Sequence, residues 1–387
     1  MKLLYILNIA EKVNNFSYTS MLAAQALGIE YHIAGNWGYA SEEERHADEV
    51  KYGIHIYQID FIRTPYHPGN HKAYKQLLTL AQNEQFDIIH CNTPIGGILG
   101  RMVGKRCKTP CVIYQAHGFH FYKGAPLKNW LLYFPVEQWF AHYTDAIITI
   151  NKEDYKRAQH FHLHRKGKVY YVPGVGIDIT QYIINKSIRV SKRTELNLQK
   201  DDIMLISMGD LIDRKNYPVS ISAVAKSNNP HLQYFVCGEG PEEENLRTLI
   251  KQLGVEKQVH LLGFRYDIKE LLNAADIYLF STKQEGLPRS MMEAMAMGKP
   301  CVVSDIRGNS DLIENGIGGF LCKPTDVNAF ANAIYQLEAN EELQKKQGLH
   351  NLQKIEEYSA SKVTDRLRDV YLEAISLIKA RKGKKDR

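Results

Sequence analysis

The chain has 387 residues, enough for two or three domains at about 150 residues each. Apolar residues make up 44% and charged residues 24%, which excludes a disordered, fibrous or disulfide-stapled protein. Lys and Arg outnumber Asp and Glu by 49 to 43, and the net charge of +6 suits an anionic ligand or membrane surface but falls short of a nucleic-acid-binding protein.

The N-terminal apolar run ends at Asn8 and is too short for a signal peptide or a membrane helix. We therefore expect a cytoplasmic protein. The six cysteines lie mostly in apolar, strand-like surroundings, which predicts buried thiols. Cys107 and Cys111 could form half of a zinc site, but no second pair of ligands accompanies them.

Short apolar runs alternate with amphipathic stretches along the chain, which is typical of parallel strand–helix–strand units. The predicted strands are residues 3–7, 31–34, 87–91, 111–115 and 146–150, then 203–207, 233–237, 259–262, 277–280 and 301–304. The predicted helices between them include residues 74–82, 242–253 and 327–337, and a long helix runs from about 360 to 379.

The alternation breaks between Pro173 and Asp201, where a polar and basic stretch follows Gly174. We predict an α/β protein with an N-terminal domain over residues 1–173 and a C-terminal domain over 174–360. A last helix with a basic tail, residues 361–387, could cross back to the first domain. Two such domains are expected to leave an interdomain cleft at the carboxyl ends of their strands, where a ligand binds.

The segment 285–300 follows a predicted strand and opens a predicted helix. Pro288 fits the first helical position, and Gly298 ends the helix. The N–H groups around Arg289 and Ser290 would then form an anion site at the positive end of the helix dipole. A phosphate group is the best match to such a site.

Glu285 and Glu293 bracket this anion site. Along a continuous helix they would stand about 12 Å apart, at about 1.5 Å per residue. A nucleotide diphosphate sugar has a matching layout, because hydroxyl groups at each end can bind carboxylates and its phosphates can bind the helix N-terminus. From spacing alone a second explanation stays open, in which Glu285 caps the helix and Glu293 is a solvated helix position.

Four further segments accompany this pattern in order: residues 207–216, 237–241, 263–268 and 304–313. With E-G-L-P-x4-E-A-M-A-x-G-x-P they resemble the retaining glycosyltransferases of family four, and residues 304–313 are similar to a subgroup that builds bacterial exopolysaccharides and capsules. The resemblance implies the GT-B fold, with two facing Rossmann-like domains. It also implies sugar transfer with retention from a nucleotide diphosphate sugar, most often a UDP-sugar, to a saccharide acceptor. The domain over residues 1–173 would then bind the acceptor, and the domain over 174–360 would bind the nucleotide sugar.

The resemblance implies that Glu293 binds the ribose hydroxyls of the nucleotide and that Glu285 binds the donor sugar. Lys215, with Arg214 beside it, is implied to neutralise the leaving diphosphate, and a fixed cation there would stabilise the transition state. The alternative for both cations is a solvated loop. Asp210 is a departure, because the family often has Arg at that position.

The chain contains no Asp-x-Asp pair, so neither a metal nor another cofactor is expected. The resemblance implies His117, Lys215 and Glu285 as catalytic candidates. The donor-binding candidates are Arg214, Lys215, Gly238, Arg265, Glu285, Gly286, Leu287, Pro288, Arg289, Ser290 and Glu293.

His117 follows a predicted strand and resembles the His-Gly step of the family. A neutral imidazole there could bind a sugar hydroxyl or stabilise charge at the anomeric carbon. Its neighbours His120 and His142 are weaker candidates. The family's glycine pair after the first strand is absent, and Asn14 and Asn15 become the acceptor-side candidates in that loop.

Residues 121–134 mix aromatic rings with lysines. They predict either peripheral contact with an anionic membrane or a core helix with surface lysines. The resemblance implies a lipid-linked saccharide acceptor at the inner face of the cell membrane. The basic tail after Lys379 is more typical of a solvated terminus.

Two other functions stay open: a sugar-nucleotide epimerase of the same fold, and a catalytically silent protein that binds a sugar nucleotide for another transferase. An NAD-dependent dehydrogenase is disfavoured, because Gly238 and Gly240 lack a third glycine at the required spacing.

Overall fold

The computed structural model describes residues 1–13, 15–64 and 67–383. The chain forms two compact units. The first consists of Met1–Gly176 together with the C-terminal segment that begins at Ala360, and the second is Ile177–Ser359.

The first unit contains a seven-stranded parallel sheet in the order β3-β2-β1-β4-β5-β6-β7. Its strands are β1 Lys2–Ile9, β2 Glu30–Asn36, β3 His55–Gln58, β4 Ile88–Asn92, β5 Cys111–Ala116, β6 Ala146–Thr149 and β7 Lys168–Tyr171. Its helices are α1 Asn15–Gln25, α2 Glu42–Tyr52, α3 Asn70–Glu84, α4 Pro94–Cys107, α5 Leu127–Ala141 and α6 Lys152–Ala158. The central strands are almost entirely buried because helices cover both faces of the sheet.

The second unit contains a six-stranded parallel sheet in the order β10-β9-β8-β11-β12-β13. Its strands are β8 Ile203–Met208, β9 Leu232–Cys237, β10 Val259–Leu261, β11 Ile277–Phe280, β12 Cys301–Ser304 and β13 Gly319–Cys322. Its helices are α7 Lys186–Glu195, α8 Tyr217–Ser227, α9 Glu243–Gln252, α10 Ile268–Ala274, α11 Arg289–Ala296, α12 Asn309–Leu312, α13 Val327–Glu338 and α14 Glu341–Ile355. This strand order is that of a Rossmann fold, and the predicted α/β class is confirmed.

The last helix, α15 Ala360–Lys382, belongs to the first unit and packs against α1. Its buried residues join the core on one face of the seven-stranded sheet. The chain leaves the first unit after Gly176 and returns to it at Ala360, and a Cβ atom on Gly176 would lie 2.8 Å from Ala360 Cα. Ile177 N donates to Tyr358 O at 3.0 Å, so the two ends of the second unit are also neighbours.

A buried ion pair joins α4 to α5. The fully buried Arg101 donates to Glu137 Oε2 at 2.8 Å, and its guanidinium stacks 4.0 Å from the centre of the Tyr114 ring. Glu137 Oε1 accepts from Tyr114 Oη at 3.0 Å, so both carboxylate oxygens have partners. The pairing balances the two buried charges and links α5 to α4.

Five cysteines are buried, as predicted, and Cys107 is half-buried; all six are free thiols. None of the helices in the described part of the chain combines the length and apolar content that a bilayer-spanning segment needs.

Candidate functional site

The predicted donor-site residues of the second unit lie in loops at the carboxyl ends of its strands, or in the helix α11 that follows one of these loops. Ligands bind at this end of open α/β sheets. β8 and β11 are hydrogen-bonded neighbours, so the loops that follow them meet. Arg214 and Lys215 lie in the loop after β8, and Glu285 lies in the loop after β11.

Glu285 joins both cations in one cluster. Its Oε1 atom accepts from Arg214 Nη1 and from Lys215 Nζ, each at 2.8 Å, and from Thr282 Oγ1 at 3.1 Å. The side chains of Glu285 and Lys215 are only 12% and 11% exposed, whereas that of Arg214 is 40% exposed. Two cations and one carboxylate leave a local charge of +1, which favours an anionic ligand.

Lys215 ends a short 3-10 turn and is buried, so a solvated loop does not describe it. Its ammonium group lies 4.9 Å from the centre of the Phe280 ring, within the range of a cation–π contact. Asp210 is exposed, and within the described residues no ion pair joins it to Lys215.

Gly238 brings the neighbouring loops into contact. It has φ of 153°, donates from its N–H to Gly263 O at 2.8 Å, and would place a Cβ atom 2.0 Å from Gly209 O. A side chain at this position would therefore push the loop after β9 away from the loop after β8. In this structure Gly238 contributes to the site by allowing the backbones of the two loops to lie close together.

The helix α11 begins one residue later than predicted. Pro288 lies at the N-cap with φ of −74° and ψ of 118°, so its extended ψ keeps it outside the helix, and the prediction that it occupies the first helical position is wrong. Its carbonyl accepts the first helical hydrogen bond, from Met292 N at 3.3 Å. The N–H groups of the first turn have no acceptor within the helix, which is the arrangement that binds anions. The helix ends before Gly298, whose φ is 64°.

Because α11 starts at Arg289, Glu285 stands outside the helix and the 12 Å estimate for a continuous helix does not apply. Glu285 does not cap the helix either, since its carboxylate binds the two cations. Glu293 is 17% exposed and accepts from Arg289 Nε at 2.9 Å, so it is not a solvated helix position. Burial and the charge of Glu293 raise the pKa of the neighbouring Tyr182.

The remaining donor-side candidates are placed as follows. Ser290 Oγ lies 2.8 Å from the hydroxyl of the buried Tyr278, and Leu287 packs against the core of the second unit. Arg265 binds Asp267 through two hydrogen bonds of 2.7 and 2.6 Å and Glu195 through a third of 3.1 Å. The structure therefore places Arg265 in an ion network, and its contact with a donor stays a prediction.

Two supporting residues were missed by the sequence reasoning. Arg307 is buried and donates from Nε to Glu285 O at 3.1 Å. Gly308 has φ of 82°, and a Cβ atom there would lie 2.5 Å from Gly286 O. Both follow β12 in the segment 304–313, which was interpreted only as a subgroup marker. The sequence feature that could have identified these two residues is an Arg-Gly pair shortly after a predicted strand.

In the first unit, His117 follows β5 and its Nε2 lies 3.0 Å from Oδ1 of the buried Asn92, the last residue of β4. Tyr5 Oη lies 3.2 Å from the same oxygen. Because this oxygen accepts, His117 donates through Nε2 and keeps the lone pair on Nδ1. Burial lowers the pKa of His117 to about 4, so the ring is neutral near pH 7. Asn92 was missed because a lone asparagine at a strand end has no spacing pattern.

The other first-unit candidates are less informative. His142 Nδ1 donates to Gln138 O at 3.0 Å, at the C-terminal end of α5. The His120 ring stacks on that of Tyr133, with 4.5 Å between the ring centres. Asn15 begins α1 and its side chain is not described. Asn14 lies outside the described residues.

Comparisons with known proteins match the chain to glycosyltransferases. Residues 13–180 match the family model described as Glycosyltransferase Family 4, and residues 189–351 match that of Glycosyl transferases group 1. The Bacillus subtilis (strain 168) protein named "Putative glycosyltransferase EpsD" is 36% identical over 351 residues, which cover 89% of each chain. An Escherichia coli protein, UDP-Gal:alpha-D-GlcNAc-diphosphoundecaprenol alpha-1,3-galactosyltransferase, is 28% identical over 79% of this chain and 80% of its own.

Solved structures show the same fold at lower identity. HepE of Anabaena, in complex with UDP and glucose, superposes with a TM-score of 0.77 at 19% identity over 96% of this chain and 100% of that chain. The pneumococcal O-GlcNAc transferase GtfA, in complex with UDP and GlcNAc, gives a TM-score of 0.69 at 13% identity over 97% of this chain and 99% of that chain.

Proposed function

Because the chain belongs to the family 4 glycosyltransferases, we propose that it transfers a sugar from a UDP-sugar to a lipid-linked saccharide at the inner face of the cell membrane. The product would extend a surface polysaccharide. The observation that carries this proposal is the pairing of Arg214 and Lys215 with Glu285, which lies in the loop that leads into α11.

The donor assignment is supported by charge and by relatives. The excess positive charge of the cluster and the first turn of α11 both favour a diphosphate. The name of the E. coli relative specifies a UDP-sugar donor, and HepE and GtfA were each solved with UDP. We therefore assign the diphosphate to Arg214, Lys215 and the start of α11, and the ribose hydroxyls to Glu293.

We further propose that transfer is metal-independent and retains the anomeric configuration. Arg214 and Lys215 would neutralise the charge that develops as the bond to the diphosphate breaks. Glu285 Oε1 accepts three hydrogen bonds, two of them from cations, which makes it a weak nucleophile. This supports a front-face mechanism, in which the departing phosphate oxygen deprotonates the acceptor hydroxyl, over a covalent intermediate on Glu285. The neutral His117 would bind a sugar hydroxyl.

A surface on α5 supports contact with the membrane that holds the acceptor. One side of the helix packs against the core through Trp130, Tyr133 and Phe134. The other side carries apolar residues that are 53% to 73% exposed: Leu127, Leu131, Leu132 and Trp139. Exposed lysines flank this side, Lys123 and Lys128 among them. Apolar side chains with cations around them are typical of a surface that binds anionic lipid.

The membrane contact is tested by flotation of the protein with vesicles. We expect binding to vesicles with anionic lipid and much less to neutral ones. Replacing Leu131 with Asp should abolish it, whereas Leu349→Asp, at a residue of α14 that is 62% exposed, should not. Equal flotation of the two variants would refute this surface.

The function is tested by a panel of nucleotide sugars. Thermal shift measurements with UDP- and GDP-sugars identify the donor, and NMR of the product with a diphospholipid-linked saccharide gives its anomeric configuration. We expect stabilisation by a UDP-sugar and a product of retained configuration, formed equally with and without EDTA. An epimerised nucleotide, binding without turnover, or stabilisation by none of the nucleotides would each refute the assignment.

A further inference from the structure

Three side chains with metal-binding atoms meet near one edge of the seven-stranded sheet. Glu30 and His32 lie on β2, His55 begins β3, and their ligand atoms all lie within 4.8 Å of one another. His32 pairs with His55 across the two parallel strands, and Glu30 is two residues from His32, so all three project from one face of the sheet. Within the described residues, no other group of three His, Cys, Asp or Glu side chains is this close.

The distances in this cluster fit a transition-metal ion. His32 Nε2 lies 2.9 Å and His55 Nε2 lies 3.5 Å from the same atom, Glu30 Oε1. Tetrahedral zinc, with bonds of about 2.0–2.1 Å, holds neighbouring ligand atoms about 3.4 Å apart. The observed separations lie on either side of that value. The two imidazole rings are also close, with 4.7 Å between their centres.

The surroundings of His32 orient it as a ligand. Tyr57 Oη lies 3.2 Å from His32 Nδ1, and the Phe86 ring packs edge-on with 5.1 Å between ring centres. A metal-bound imidazole commonly donates its second N–H to an oxygen, and Tyr57 supplies that oxygen. Lys2, whose charge reaches His32, is paired with Glu84 at 2.7 Å.

We propose that Glu30, His32 and His55 bind a divalent transition-metal ion, for which zinc is the best match. Two imidazoles and one carboxylate form a donor set that suits zinc better than magnesium or calcium. The side chains of Glu30 and His55 are 47% and 55% exposed, so water can complete the coordination.

The ion would stabilise an edge strand. β3 has four residues and pairs on one side only, with β2. A metal bound to both strands fixes this pairing where the hydrogen-bonded ladder is short. The site lies where β2 and β3 begin, whereas His117 follows the carboxyl end of β5. In a parallel sheet these are opposite ends, so the ion takes no part in sugar transfer.

The test uses the full chain without a histidine tag, first treated with a chelator. Equilibrium dialysis against Zn²⁺ is expected to give one tightly bound ion per chain, and Zn²⁺ should raise the melting temperature. His55→Ala and Glu30→Gln, at exposed positions that folding tolerates, should weaken binding by at least about tenfold. Tyr57→Phe should weaken it by about tenfold through the orientation of His32.

His46→Ala is the matched control, because His46 is an exposed histidine that pairs with a single glutamate, Glu49, at 3.6 Å. It should bind zinc like the wild type. Circular dichroism confirms that each variant is folded, and the absorption of bound Co²⁺ reports ligation by histidine. Absence of a stoichiometric ion in the wild type, or equal affinity in His55→Ala, would overturn the proposal whatever the enzyme activity.

Discussion

Replacing Lys215 with methionine removes one cation from Glu285 and keeps an unbranched side chain beside Phe280. Lys215 is 11% exposed and Arg214 is 40% exposed, so water screens the charge of Lys215 less. A fixed donor aimed at developing negative charge contributes on the order of 10²–10³ in kcat. We expect Lys215→Met to lower kcat by about that factor, with little change in KM, and Arg214→Met to lower it less.

Initial rates against donor concentration separate the two parameters. Lys283→Met is the matched control, because Lys283 is 46% exposed and pairs with Asp213 at 2.7 Å instead of with Glu285. It should behave like the wild type. The reasoning would be refuted if Lys215→Met kept the wild-type kcat, or if the control lost as much activity.

Glu293→Ala should raise the KM for the donor with kcat little changed, because ribose contacts are the same in ground and transition states; an unchanged KM would contradict the ribose assignment. Glu137→Ala leaves the Arg101 charge buried and should cost about 3–5 kcal/mol, or roughly 6–20 °C in the Tm of a unit of this size. Adding Arg101→Met to Glu137→Ala should recover most of the lost stability, as measured by calorimetry. A double variant as unstable as Glu137→Ala alone would contradict the argument from the buried charge. For the wild type, the Tm should fall when the pH is lowered from about 7 to about 5. Burial lowers the pKa of His117 from 6.5 to about 4 and that of His90 from 6.5 to about 3. In this pH range the two histidines therefore take up protons in the unfolded chain but not in the folded chain, which favours unfolding. A Tm that is the same at both pH values would contradict this.

The interior strands and the edge strand β10 could be predicted from the sequence, whereas the other three edge strands could not. A strand such as Ile88–Asn92 is wholly buried and therefore appears as a continuous apolar run. The missed strands are β3 His55–Gln58, β7 Lys168–Tyr171 and β13 Gly319–Cys322, and each is partly exposed. Each pairs on one side only, so solvent admits polar residues and shortens the apolar pattern.

In the candidate site, the motifs located the loops but not their contacts. The pairing of Glu285 with Lys215 depends on β8 lying next to β11, which spacing along the chain does not reveal. Arg307 donates a hydrogen bond to Glu285 O, and Asn92 forms one with His117. One arginine or asparagine has no periodicity that would set it apart from the others in the chain.

The two points at which the backbone passes between the units are adjacent, since Gly176 lies against Ala360 and Ile177 lies against Tyr358. In the order of the chain, the second unit is therefore an insertion within the first unit, which α15 completes. A domain whose two ends lie close together can be inserted into another domain without distorting the backbone of either. We therefore expect that residues 177–359 can be deleted as one piece, with a short linker joining residues 176 and 360 to keep the first unit continuous.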